Sequence, residues 1–151
     1  MDEFDRKILA ALQKDGRLTN SELGEIVNLS PSVCSRRRTS LEKAGVIKGY
    51  NAQLDPKKIG IGLTSIVSVS LSTHDDQNAE RFRSLIAGLD NVQDAYALTG
   101  EMDYSLKVVS ADLDALSAFI NQKLLPHEAV SNVKTAIVLD TLKTTSRLPV
   151  G

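Results

Sequence analysis

The chain has no tryptophan, three tyrosines and three phenylalanines among 151 residues. Recognition of single-stranded nucleic acid by base stacking therefore has little support. It has one cysteine, Cys34, so no intrachain disulfide can form. One cysteine and two histidines leave too few ligands for a dedicated zinc site, and no metal or other cofactor is expected. No apolar run approaches the roughly 20 residues that cross a bilayer. The start, MDEFDRKIL, is acidic and amphipathic, unlike a signal peptide. No internal repeat and no low-complexity tract is present. These absences suggest a cytoplasmic protein of ordinary globular composition, long enough for one domain or two small ones.

The charge is uneven. The net charge is only −1, yet residues 1–49 carry nine Lys/Arg against seven Asp/Glu, and residues 50–151 nine against twelve. Between Asn28 and Gly49 stand five basic residues and one acid, Glu42. A small positive field is thus expected on an otherwise acidic protein.

Local signals then order the chain. Asp2 is placed to cap a first helix, in which Phe4, Ile8, Leu9 and Leu12 recur at helical spacing, with Gly16 as a stop. Thr19 and Glu22 form a Thr-x-x-Glu capping box, flanked by Leu18 and Leu23 as a hydrophobic staple. Asn28 suits a left-handed turn residue. Ser30-Pro31 opens a third helix to about Ala44, with Gly45 after it. Two helices across a tight turn, with a support helix before them, predict a helix-turn-helix. Beyond it, VIKGYNAQLD reads as extended, and KKIGIG as a hinge. Periodicity then gives a strand near 63–71, a helix around Phe82, Leu85, Ile86 and Leu89, strands at 92–98 and 104–109, a helix through Leu113, Leu116, Phe119, Ile120 and Leu124, and a last strand in VKTAIVLDTL. This βαββαβ order predicts a ferredoxin-like fold. The fold class is therefore α+β: a winged-type helix-turn-helix domain at 1–47, a β linker or hinge at 48–60, and a ferredoxin-like domain at 61–151. Two helices cover one sheet face; Ile66, Ala136 and Val138 lie on the other, so a homodimer is expected.

Three adjacent arginines, alone, fit a solvated charged face. Within a capped helix-turn-helix they fit contact with double-stranded DNA, since Arg and Lys reach phosphates and guanine edges and Ser and Thr either. The candidate DNA-binding residues are Ser30, Ser32, Ser35, Arg36, Arg37, Arg38, Thr39 and Lys43. The turn TGEMD, read alone, is an ordinary hairpin with solvated acids. His74 and His127 look isolated, and no nucleophile, base and orienting group recur at a telling spacing, so an enzyme is not expected.

The stretches DRKILAALQKDGR (5–17), LSPSVCSRR (29–37), LEKAGVIKGYNAQLDPKKIG (41–60) and TGEMDYSLKV (99–108) resemble the Lrp/AsnC, or feast/famine, family of prokaryotic transcription regulators nearly end to end. The resemblance implies an effector-responsive regulator with an N-terminal DNA-binding domain, a β linker, and a C-terminal domain that dimerises and often builds octamers. It places a small-molecule effector, commonly an amino acid, at a glycine loop between dimers. Carried over, this suggests Ala97, Leu98, Thr99, Gly100, Glu101, Asp103, Tyr104 and Leu125 as effector-site candidates. Asp103 suits an α-ammonium and the loop N–H groups an α-carboxylate; Ala97, Leu98, Met102 and Leu125 lean toward an apolar or sulfur-containing amino acid. A cytoplasmic, nucleoid-associated location follows from the same likeness. The chain departs from the family pattern at Arg38, where Val or Ile is usual, and at Asn28, often Gly. Arg38 faces inward and is expected to snorkel to the rim, adding a phosphate contact. The alternative reading is a DNA-organising protein of the same fold without effector response; a third is a small enzyme or ligand module.

Overall fold

In a computed structural model that describes residues 1–150, the chain divides into two compact units. Unit 1 comprises residues 1–53 together with the C-terminal segment from Lys143; unit 2 comprises Leu54–Leu142.

Unit 1 is three helices around one apolar cluster. Helix α1, Glu3–Lys14, starts at a reciprocal box in which Asp2 and Asp5 accept each other's backbone N–H. Helix α2, Asn20–Val27, starts at the Thr19/Glu22 box and ends at Asn28, whose φ of 56° and ψ of 48° are left-handed. Helix α3, Pro31–Lys43, is capped by Ser30, and Gly45 follows with φ +71°. Ile8, Leu9, Ala11, Leu12, Leu23, Val27, Cys34 and Leu41 form the core. Cys34 fills space there, fully buried. Gly24 is required by close approach: a Cβ on it would lie 2.5 Å from the Leu29 carbonyl oxygen. Gly16 is not left-handed as a helix stop would be; it makes room for the Tyr50 ring, 3.1 Å from where its Cβ would stand.

The expected β linker is not a strand. Residues 48–55 form no regular element, and Lys57–Ile59 make one 3₁₀ turn closed by left-handed Gly60.

Unit 2 has the βαββαβ order. Strands β1 (Leu63–Leu71), β2 (Val92–Ala97), β3 (Tyr104–Ser110) and β4 (Val130–Ile137) pair antiparallel in the order β2-β3-β1-β4. Helices α4 (Asp76–Ala87) and α5 (Leu113–Phe119) cover one face, and α5 runs on into a single π turn, Ile120–Leu124. Val67, Val69, Leu71, Leu106 and Val108 point inward against Phe82, Leu116, Phe119 and Leu124. The last strand begins three residues before the expected VKTAIVLDTL and stops at Ile137; Val138 still donates to Thr64, but Leu139 and Leu142 stand almost fully exposed. The other sheet face carries Ile66, flanked by Lys107 and Ala136. No helix among the described residues is long and apolar enough to cross a membrane.

Candidate nucleic-acid interface and ligand loop

Helix α3 sorts its side chains by angle. At 100° per residue, Ser32, Ser35, Arg36, Thr39 and Lys43 fall on one side and Cys34 and Leu41 on the opposite one. The inner pair locks the helix into the core. The outer stripe is solvent-facing apart from half-buried Ser35. Among the described residues, Arg36 makes no hydrogen bond and no ion pair, so its guanidinium is free for an outside acceptor. Ser30 is engaged as the N-cap, its Oγ 3.1 Å from that of Ser32.

Arg37 and Arg38 do not share that face. Arg37 turns back to α1: its Nη1 lies 2.8 Å from Asp2 Oδ2 and 2.8 Å from Asp5 Oδ1. Its guanidinium lies 5.6 Å from the Phe4 ring centre, and its Nε is buried without a partner. Arg37 is thus a strut between α3 and the start of α1, not an open phosphate ligand. Asp2 is held below the usual carboxylate range, first by the Asp5 backbone N–H and then by Arg37. Arg38 reaches the rim, but spends itself within the protein. It donates from Nη1 to the Leu18 carbonyl (3.0 Å) and from Nε to the Tyr50 hydroxyl (2.8 Å), with its guanidinium 4.6 Å from the Tyr50 ring centre. Tyr50 donates in turn to Glu42 (2.9 Å). Burial, then the Glu42 carboxylate, raises the Tyr50 phenol above its usual value. Neither partnership was visible locally: a carboxylate 32 residues back and a tyrosine 12 ahead carry no helical spacing.

The TGEMD hairpin joins β2 to β3. Leu98 donates to the Asp103 carbonyl at 2.8 Å, closing the loop. Gly100 has φ +136°, a region L side chains rarely adopt, and open space where a Cβ would be. Ala97, Leu98, Thr99, Gly100 and Glu101 are exposed. Met102 folds back, its sulfur 3.4 Å from Ser70 Oγ. Tyr104 is half-buried, with its ring 4.6 Å from that of Phe82. Glu101 meets Lys134 of β4 at 2.7 Å, which holds its carboxyl below the usual range. Asp103 is half-buried and doubly engaged: Oδ2 accepts the Leu71 N–H at 2.8 Å, and Oδ1 lies 2.9 Å from His74 Nε2. Sequence reasoning missed His74 and Lys134, which only the β1–β3 and β1–β4 pairings bring to this loop. Leu125, beyond the π turn, has no hydrogen bond to the hairpin. The arrangement offers exposed apolar residues, a glycine backbone and a tethered carboxylate on one loop. Two concavities of unit 2 lie elsewhere: one of about 580 Å³ lined by Gln77, Glu80, Arg81, Ser84, Leu85 and His127, and one of about 280 Å³ beside Phe119.

Comparison with known proteins matches both units. Residues 1–48 match the winged helix-turn-helix DNA-binding family, and residues 64–148 the Lrp/AsnC ligand binding domain family. The chain is 37% identical over 150 residues to the transcriptional regulator AzlB of Bacillus subtilis, covering 99% of this chain and 96% of that protein. It is 34% identical over 148 residues to the leucine-responsive regulatory protein of Escherichia coli K12, covering 98% and 90%. Among solved structures, a transcriptional regulator from Neisseria meningitidis in complex with L-Met superposes with a TM-score of 0.95 at 41% identity, covering 99% of this chain and 96% of that one.

Proposed function

The chain belongs to the Lrp/AsnC family of DNA-binding transcriptional regulators, and on that premise we propose that it is a sequence-specific regulator whose DNA affinity responds to a free amino acid. The observation that carries the DNA half is the outer stripe of α3: Ser32, Ser35, Thr39 and Lys43 around one unengaged guanidinium, Arg36. A capped helix of this length fits a major groove, with its N-terminal turn toward the base edges. Arg36 is the base or phosphate contact; Arg37 and Arg38 hold the helix at its angle.

The effector half rests on the hairpin. Loop N–H groups beside Gly100 receive the α-carboxylate, and Asp103 accepts the α-ammonium. A carboxylate offers about four acceptor sites, so the Leu71 and His74 contacts leave capacity for a third donor. Ala97 and Leu98 offer an apolar wall. The L-Met complex of the Neisseria meningitidis relative supports an apolar or sulfur-containing amino acid. One chain supplies only one side of such a site, and a second copy supplies the other. The protein works as a homodimer, joined through the Ile66 face and assembling further to an octamer.

The experiment is calorimetry with L-Met and L-Leu, followed by gel shift with and without the binder. Expected are saturable binding of one of them, and a shift in DNA affinity with it. Binding that leaves DNA affinity unchanged, or no amino acid binding at millimolar concentration, overturns the effector half and favours a DNA-organising protein. Gly100→Arg should abolish binding. Gly100→Ala is the control for its backbone, since a Cβ there meets open space.

A further inference from the structure

The chain crosses between its units twice, once after Gln53 and again after Leu142. The second crossing returns eight described residues, 143–150, to unit 1, where they meet the C-terminal half of α1. There the Gln13 side chain reads the backbone of Leu148. Its Oε1 accepts the Leu148 N–H at 2.6 Å, and its Nε2 donates to the Leu148 carbonyl at 3.0 Å. A primary amide offers one acceptor and donors at the spacing of a peptide group, so it pairs with an extended residue as a neighbouring strand would. Pro149 favours that geometry, because the residue before a proline is pushed toward extended backbone. The Leu148 side chain points to solvent, while Val150 packs against the apolar cluster of unit 1. Nothing in the exposed side chain of Leu148 explains the contact; the backbone is what is recognised.

The segment also changes the charge of the unit it joins. Residues 1–53 hold nine Lys/Arg against seven Asp/Glu; with Lys143 and Arg147 the count is eleven against seven. Unit 2 is left with seven against twelve. Docking thus doubles the net positive charge of the unit that carries α3, from +2 to +4. Salt screens charges beyond about 8 Å at physiological strength, so which unit holds a charge matters.

We propose that α1 carries a docking site for the chain's own C-terminal segment, read by Gln13 and anchored by Val150, and that the docked segment strengthens DNA binding by adding Lys143 and Arg147 to the positive field. The docking arm stands independently; the DNA arm rests on the reading of α3 above. In full-length protein, hydrogen-exchange NMR follows the Leu148 amide. Gln13→Ala should speed its exchange about tenfold, the scale of two lost neutral hydrogen bonds, with an unchanged melting temperature. Gln13→Glu should act in the same direction, because it keeps the acceptor but sets a carboxylate against the Leu148 carbonyl. Exchange as slow in both variants as in wild type overturns the docking site. For the second arm, Lys143→Ala/Arg147→Ala is titrated with duplex DNA beside Arg36→Ala. Weaker binding, with a salt slope shallower by about one to two units, supports the charge role. If Arg36→Ala weakens binding and the double variant binds as wild type, the charge role is overturned and the α3 reading stands. If neither variant changes binding, both readings fall.

Discussion

Three adjacent arginines have three different fates, and each follows from its angle around one helix. Arg36 lies with Thr39 and Lys43; Arg37 is 100° further round and meets the acids that cap α1; Arg38 is 200° round and reaches the Leu18 carbonyl and Tyr50. Their substitutions should therefore differ in kind. Arg36→Ala should weaken DNA binding and flatten its salt dependence by about one unit of slope if the contact is a phosphate. If the contact is a base, it should cost roughly 1–3 kcal/mol on the specific site alone. Its melting temperature should match wild type. Arg37→Ala should do the reverse at first order: it strands Asp2 and Asp5, lowers the melting temperature by several degrees, and weakens DNA binding only through the lost geometry. Calorimetric melting beside salt-titrated gel shifts distinguishes the two. An Arg37→Ala protein of full stability would remove the strut.

Among the elements, the turn between α2 and α3 has little tolerance. Asn28 holds the left-handed residue, and Gly24 lets the Leu29 carbonyl approach to a distance no Cβ permits. Gly24→Ala should cost about 1–3 kcal/mol, the range for forced overpacking, and should shift the melting midpoint accordingly. An unchanged midpoint would show that the turn can open without loss. The caps make a separate prediction about acid. Asp2, Glu22 and Asp75 each sit below the usual carboxylate range, chiefly because each accepts a backbone N–H at the start of its helix, from Asp5, Thr19 and Asn78 respectively. A carboxylate with a depressed folded pKa contributes stability above its unfolded pKa and loses it as pH falls through the folded value. Melting temperature should thus be flat near neutral pH and fall once pH drops below about 4, where ordinary carboxylates titrate. A melting temperature that rises on acidification would contradict the capping assignments.

For the whole molecule, charge and surface are divided between the units. The acidic unit 2 presents a sheet face with Ile66 between Lys107 and Ala136, and no helix of its own covers it. Ile66 is more than a third exposed. The homodimer proposed above should use this face. Ile66→Lys would place a charge opposite its own copy and beside Lys107, and light scattering at micromolar concentration should then report monomer where wild type reports dimer or larger. A dimer that survives the change would move the interface elsewhere. Loss of the dimer should also weaken specific DNA binding more than non-specific binding, since one helix-turn-helix reads one half-site.

Signals that span three or four residues were legible in the sequence by itself. The Thr19/Glu22 box, Asn28, Ser30-Pro31 and Gly45 marked both helices of the helix-turn-helix, because a cap is a contact between near neighbours. Strand and helix periods marked βαββαβ, because burial on one face repeats every two or 3.6 residues. Partnerships across the fold were decided only by tertiary structure. Which arginine is free depends on an acid 32 residues away; Asp103 meets Leu71 and His74 because β1 pairs with β3; and the C-terminal segment meets Gln13 across 135 residues. The extended stretch after Ile47 shows the same limit from the other side: a strand needs a partner, and residues 48–55 pair with none among the described residues. A single position carries no record of a distant partner's identity, whereas a cap or a period is written into the residues that make it.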